Sequence, residues 1–358
     1  MKKETYEAQK PFAGAKKPSM LRRCVGHDYT GRHIYMITMV TEGRRPLFGT
    51  IMGKSDAPMG SGDESRIALS ELGKRVADEW WATEEHHHEI EVIALQMMPD
   101  HLHGILFVKE KMEKPLGMAL RGFKQSCNRH YRELVLGIPP VPSVALPTQQ
   151  TKQTQQTNQT KPSRRGEDRT HGLLFARGYN DRLLLRAGQL DTWLNYLSDN
   201  PRRLLMKREH PDLFRVQRDL TAAGITFSAL GNRFLLDRPV KMQVQCSRSL
   251  TEAQIKDRVA EYLAAAHAGA VLVSPAISPG EKVIMRAAFD EGLPLIFLEE
   301  NGLCDLAKPG GARMDAYAKG QLLILAPWVH HNDKKTITRS QSLALNDMAH
   351  MICGNKRE

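Results

Sequence analysis

The sequence predicts two successive domains: an α+β domain built on an antiparallel sheet, then an α/β domain built on a parallel one. Three observations point there. The first half runs strand, helix, strand, strand, helix in its hydrophobic patterning. The second half alternates short continuous apolar runs with helical stretches, as parallel strands covered on both faces do. A length of 358 residues also exceeds what one small core serves.

Residues 1–29 are basic and polar, with Lys16-Lys17 and Arg22-Arg23, and read as a flexible arm. Residues 33–41 are β-branched and apolar and read as a strand, with 47–52 as a second, shorter one. A helical period through Ile67, Leu69, Leu72, Val76 and Trp80 predicts a helix over 65–85. Strands over 89–97 and 101–108 follow, joined tightly across Met98-Pro99-Asp100. A second helix over 115–132 carries Leu116, Leu120, Phe123, Cys127 and Tyr131 inward, and is studded with Arg121, Lys124, Arg129 and Arg132. This order is that of a ferredoxin- or RRM-like sandwich, which leaves one sheet face open for a ligand.

Residues 138–170 interrupt the pattern with Pro139, Pro140, Pro142 and Pro147, followed by a Gln/Thr-rich tract that has nothing to bury, and read as an insertion. A strand over 173–185 and a helix over 189–208 complete the first domain, placed at 30–228. From 229 to 358 a Rossmann-like domain is expected. Its strands fall at 240–246, 270–274, 293–298 and 321–326, and its helices at 251–267, 280–291 and 338–353. The small-residue turn Ser274-Pro275-Ala276-Ile277-Ser278-Pro279-Gly280 is of the kind that cradles phosphate on helix amides, though no Gly-x-Gly-x-x-Gly fingerprint accompanies it.

The formal net charge of +11 favours a polyanionic partner such as nucleic acid. Hydrophobic residues at 41% and charged ones at 25% are those of a globular protein. No apolar run approaches the roughly 20 residues of a membrane helix, and the N-terminus lacks the apolar core of a secretory signal, so no membrane partner and a cytoplasmic location are expected. Five scattered cysteines, never in a Cys-x-x-Cys pair, read as reduced thiols.

Chemistry concentrates in two places. In His101-Leu102-His103-Gly104 side chains alternate across the strand, so both imidazoles project from one face while Leu102 turns inward. Two adjacent imidazoles can hold one metal ion. In the helix over 189–208 the apolar stripe runs through Leu190, Trp193, Leu194 and Leu197. Tyr196 lies off that stripe, with Asn200 one turn further on. His86-His87-His88 is a rival metal cluster, but consecutive side chains at a helix end diverge.

Met98-Pro99-Asp100-His101-Leu102-His103-Gly104 resembles the His-hydrophobic-His motif of single-tyrosine HUH transposases. Tyr196-Leu197-Ser198-Asp199-Asn200-Pro201 resembles the tyrosine helix of their REP-associated branch. Phe123-Lys124 and Gly178-Tyr179-Asn180-Asp181-Arg182 resemble further segments of that family, in its order, over about residues 30–205. The second domain faintly resembles the DNA-processing-protein-A and lysine-decarboxylase-like group.

The first resemblance implies a metal-dependent DNA transposase acting on single-stranded or hairpin DNA through a 5′-phosphotyrosine. Tyr196 would be its nucleophile, with His101, His103 and Asn200 around Mg²⁺ or Mn²⁺. Arg121, Lys124, Arg129, Arg182, Arg202 and Arg203 would contact phosphates, and Tyr131 and Tyr179 would stack on bases. Tyr196 is expected to approach the histidine pair either within one chain or from the partner in a homodimer. The alternatives are a non-catalytic nucleic-acid-binding derivative, and a nucleotide-binding regulator acting through the C-terminal domain. The inserted tract departs from the family's short connection.

Overall fold

The computed structural model describes residues 24, 26–58, 60–138, 173–304, 307, 309–333 and 336–354. The inserted tract and most of the basic arm lie outside them. Two compact units meet at Arg202/Arg203, earlier than the boundary expected at 228/229.

In the first unit, β1 (His33–Val40), β4 (Ile90–Met98), β5 (His101–Val108) and β6 (Asn180–Leu183) form one antiparallel sheet in the order β4-β5-β1-β6. With helix α1 (Glu71–Trp81) after β1 and helix α3 (Leu116–Leu134) after β5, this is the ferredoxin-like βαββαβ order. A short helix α2 (Thr83–His86) follows α1.

The sequence-based helix over 65–85 is shorter than expected. Residues 66–69 form β3 (Arg66–Leu69), paired antiparallel with β2 (Gly49–Met52) in a separate hairpin. The helix starts only after Ser70, whose side chain accepts a hydrogen bond from Gly73 N. The strand expected over 173–185 is likewise reduced to β6 and a single bridge between Phe175 and Thr41, because Gly178 turns the chain at φ 78°. Part of the expected arm is core: Tyr29 packs against the first unit's interior, and the His27 and Tyr35 side chains hydrogen-bond at 2.8 Å.

The two sheet faces have different covers. Tyr35, Ile37, Met39, Leu102 and Leu106 point into a core closed by α1 and α3. Met36 and Ile105, on the opposite face, meet Trp193 and Leu197 of helix α4 (Gln189–Glu209). The face expected to be open is therefore partly roofed. Gly104 fixes how β5 meets α1: a Cβ there would lie 2.0 Å from the Trp80 ring.

The second unit is an α/β layer structure with a mixed six-stranded sheet, ordered β7-β8-β12-β11-β10-β9. Its strands are β7 (Gln217–Ala222), β8 (Ile225–Gly231), β9 (Lys241–Gln243), β10 (Val271–Ser274), β11 (Leu295–Leu298) and β12 (Leu322–Ala326). β9 to β12 are parallel and in chain order; β8 and β7 add an antiparallel hairpin to the β12 edge, where an all-parallel sheet was expected. One face packs on helices α5 (Glu252–His267), α6 (Pro279–Asp290) and α7 (Arg313–Ala318), the other on α8 (Arg339–Ile352).

Candidate active site

The site is built at the β4–β5 turn. Pro99-Asp100 joins the two strands with Met98 opposite His101, and the turn is held from outside. Thr41 N and Thr41 Oγ1 both donate to Asp100 O at 2.9 Å, and Phe48 N donates to Pro99 O at 3.0 Å. His101 and His103 emerge beside each other on the α4 face, ring centroids 4.9 Å apart and nearly perpendicular.

Both imidazoles are oriented through Nδ1. His101 Nδ1 donates to Asp100 Oδ1 at 2.6 Å, and Asp100 Oδ2 accepts from Arg44 Nη1 at 3.2 Å. Burial pushes the Asp100 carboxyl up, but the His101 hydrogen bond and the His101 and Arg44 charges outweigh it and bring it to about 2. His103 Nδ1 meets Thr38 Oγ1 at 2.8 Å. With Nδ1–H donating there, Nε2 keeps its lone pair. Burial above all, then the charges of His101, Arg182 and Arg44, lowers the His103 pKa to about 3. An imidazole with a carboxylate or hydroxyl at its far nitrogen is the arrangement of a metal-binding histidine.

Across from the pair stands Tyr196 of α4, 36% exposed, its ring edge-on to His103 at a centroid distance of 5.8 Å. Trp193 and Leu197, buried on Met36 and Ile105, hold the helix in place. Asn200, one turn after Tyr196, is 8% exposed and its Nδ2 is buried without a hydrogen-bond partner. Such an amide is costly to leave unpaired. It makes no hydrogen bond to either histidine.

Among the described residues no three His, Cys, Asp or Glu side chains converge as a metal cluster. Two histidines and a neutral amide fit an ion that keeps open positions for water or phosphate, not a closed structural zinc site. His86, His87 and His88 do not converge either.

The basic residues expected at the site divide between places. Arg182 pairs in register with Met36 and so lies on the histidine face, where its charge reaches His103. Arg121, Lys124, Arg129 and Tyr179 instead line a groove of about 770 Å³ between α3 and residues 173–179, in the layer behind the sheet. Lys124 Nζ donates to the carbonyls of Ala176 and Gly178 at 2.7 and 2.8 Å, tying that segment to α3. Tyr131 is core, 1% exposed, its hydroxyl accepting from Arg45, and offers no face for a base. Tyr179 is 8% exposed. Arg202 is paired with Asp199 at 2.6 Å, and Arg203, in the second unit, donates to Pro309 O at 3.1 Å.

The second unit's phosphate-cradle reading is overturned by its own hydrogen bonds. Ile277 N and Ser278 N donate to Glu281 Oε2 at 2.8 and 3.3 Å, and Ala276 N donates to Ser274 Oγ at 2.9 Å. A buried carboxylate already sits where an anion would bind. The five cysteines are free.

No family model and no curated protein matches the chain. Among solved structures it is similar to DNA processing protein A from Helicobacter pylori, described for its single-stranded DNA binding mode. The identity is 17% over 39% of this chain and 66% of that one, with a TM-score of 0.30. The same protein from Streptococcus pneumoniae aligns at 17% identity over 44% of this chain and 59% of its own, TM-score 0.30. A REP-associated tyrosine transposase bound to a REP hairpin aligns at 10% identity over 49% of this chain and 70% of its own, TM-score 0.29. The chain thus spans less than two thirds of both DNA processing proteins, and at such scores its own side chains are the basis for any reading of function.

Proposed function

We propose that this protein is a divalent-metal-dependent DNA nicking and strand-transfer enzyme of the single-tyrosine HUH type, acting on single-stranded or hairpin DNA. One observation carries the reading: the Tyr196 ring stands 5.8 Å from His103, which pairs with His101 at 4.9 Å on the same sheet face. His101 and His103 Nε2 would hold Mg²⁺ or Mn²⁺, with Asn200 as a third polar group. Such an ion, when bound, draws charge from a non-bridging phosphate oxygen.

The remaining chemistry belongs to the chain. The Tyr196 hydroxyl loses its proton to solvent and its oxygen attacks phosphorus. The P–O3′ bond breaks, the released 3′-oxygen takes up a proton, and the 5′-phosphate stays on the tyrosine. A 3′-hydroxyl attacking that phosphotyrosine re-forms a phosphodiester and frees Tyr196. Arg182 supplies positive charge on this face, and Asp100 and Thr38 orient the imidazoles through their Nδ1 atoms. The groove behind the sheet, with Arg121, Lys124 and Arg129, would take phosphates away from the reaction. The second unit is read as an accessory, Rossmann-like domain.

Incubation of the full chain with labelled single-stranded hairpin DNA and Mn²⁺ tests this. A covalent adduct that disappears in Tyr196→Phe and on chelation is expected. An adduct that survives Tyr196→Phe overturns the nucleophile. No adduct with any end sequence leaves a non-catalytic nucleic-acid binder.

A further inference from the structure

The β2–β3 hairpin is an addition to the βαββαβ order, and it lies against the helix that carries Tyr196. Ala57, Glu64 and Ser65 from the hairpin, with Asn195, Ser198, Asp199 and Arg202 from α4, enclose a pocket of about 340 Å³. That is the small end of the roughly 300–1,000 Å³ typical of ligand pockets.

Helix geometry places this pocket beside the nucleophile. At about 100° per residue, Trp193, Leu194 and Leu197 lie on one side of Tyr196 and turn to the sheet. Asn195, Ser198, Asp199 and Arg202 lie on the other side. A phosphate at the Tyr196 hydroxyl would have the histidines towards the sheet and this pocket away from it.

The lining is polar and partly arranged in advance. Arg202 Nε donates to Asp199 Oδ1 at 2.6 Å, Ser198 Oγ donates to Asn195 O at 3.0 Å, and Glu64 Oε2 accepts from Gly60 N at 2.7 Å. The side chains of Asn195 and Ser65 make no hydrogen bond among the described residues, so both are uncommitted. Two carboxylates, an amide and two hydroxyls around a small pocket, with the Arg202 guanidinium held on Asp199, complement a flat heterocycle with an exocyclic amino group and ring acceptors.

Resting on the nicking reading above, we infer that this pocket receives the unpaired nucleobase next to the scissile phosphate. It favours adenine, cytosine or guanine over thymine, whose one ring donor, N3–H, is flanked by two carbonyl oxygens that a carboxylate of Asp199 or Glu64 repels.

The test uses a randomised single-stranded DNA library, the full chain and Mn²⁺, followed by sequencing of covalently captured strands. Wild type is expected to disfavour thymine by about tenfold at one position beside the cut. Asp199→Asn is expected to flatten that preference. Ala57→Trp, which fills the pocket from the hairpin side and leaves the sequence of α4 unchanged, is expected to do the same. Capture with one base profile in wild type and both variants overturns the pocket and leaves the nicking reading standing. Enrichment of thymine at that position also overturns it. Absence of capture by wild type overturns the nicking reading, and the pocket with it.

Discussion

His103 shows how one side chain serves stability and chemistry at once. Burial keeps its imidazole neutral down to about pH 3, whereas in the unfolded chain it takes up a proton near 6.5. Between those values the unfolded state binds more protons, so His103 stabilises the fold at neutral pH and that contribution is lost as pH falls below about 6.5. In chelated protein, urea unfolding should lose up to about 1.4 kcal/mol per pH unit from this group between pH 6 and 4. His103→Asn should show a shallower dependence. Equal slopes in the two proteins would show that His103 is not held neutral. The histidine pair was legible in the sequence because strand alternation alone puts both rings on one face. The Asp100 and Thr38 contacts were not, since they depend on the β1–β5 register and on how the turn sits under Thr41.

Among the elements, α4 carries the nucleophile, and its two buried anchors, Trp193 and Leu197, are seated on Met36 and Ile105, flanked by Leu190 and Leu194. Trp193→Ala removes a 5%-exposed ring from that contact, and truncations of this size cost about 3–5 kcal/mol. Denaturant unfolding should show a loss of that order, and adduct formation should fall even where the fold persists, because Tyr196 loses its approach to His103. Unchanged adduct yield in folded Trp193→Ala protein would show that the sheet does not position Tyr196. The helix was readable from its apolar period, as were α3 and the β4–β5 hairpin. The β2–β3 hairpin was missed because Leu69, Leu72, Val76 and Trp80 continue a helical spacing through its last strand. The overlooked signals were the two-residue step from Ile67 to Leu69 and Ser70 as a helix cap. Arg121, Arg129 and Tyr179 are read as DNA-binding on charge and residue type, which cannot say on which side of a sheet a helix packs.

The whole chain holds two separately cored units, and α4 runs through the boundary between them. All the residues proposed for metal and nucleophile lie before Arg203. A chain ending after Glu209, which keeps α4 entire, should therefore still form the Tyr196 adduct, as denaturing electrophoresis with labelled DNA would show. Loss of the adduct in a folded fragment would make the second unit part of the reaction rather than an accessory. The α/β character of that unit was legible in its alternating apolar runs, but its mixed sheet was not. β7 and β8 carry polar residues such as Gln217, Arg218, Asp219 and Thr221, and do not read as a continuation of the apolar strands that follow.

The glycine after the second histidine has a consequence for the descent of such chains. Trp80 lies on Gly104 so closely that a methyl group has no room, and a one-residue slip of β5 would bring His103 or Ile105 under the indole instead. The contact in the core thus proofreads which way the histidines face. Positions 80 and 104 are expected to change together among relatives: a larger residue at 104 should occur with a smaller one at 80, and a chain that loses only one partner should lose its histidine face as well.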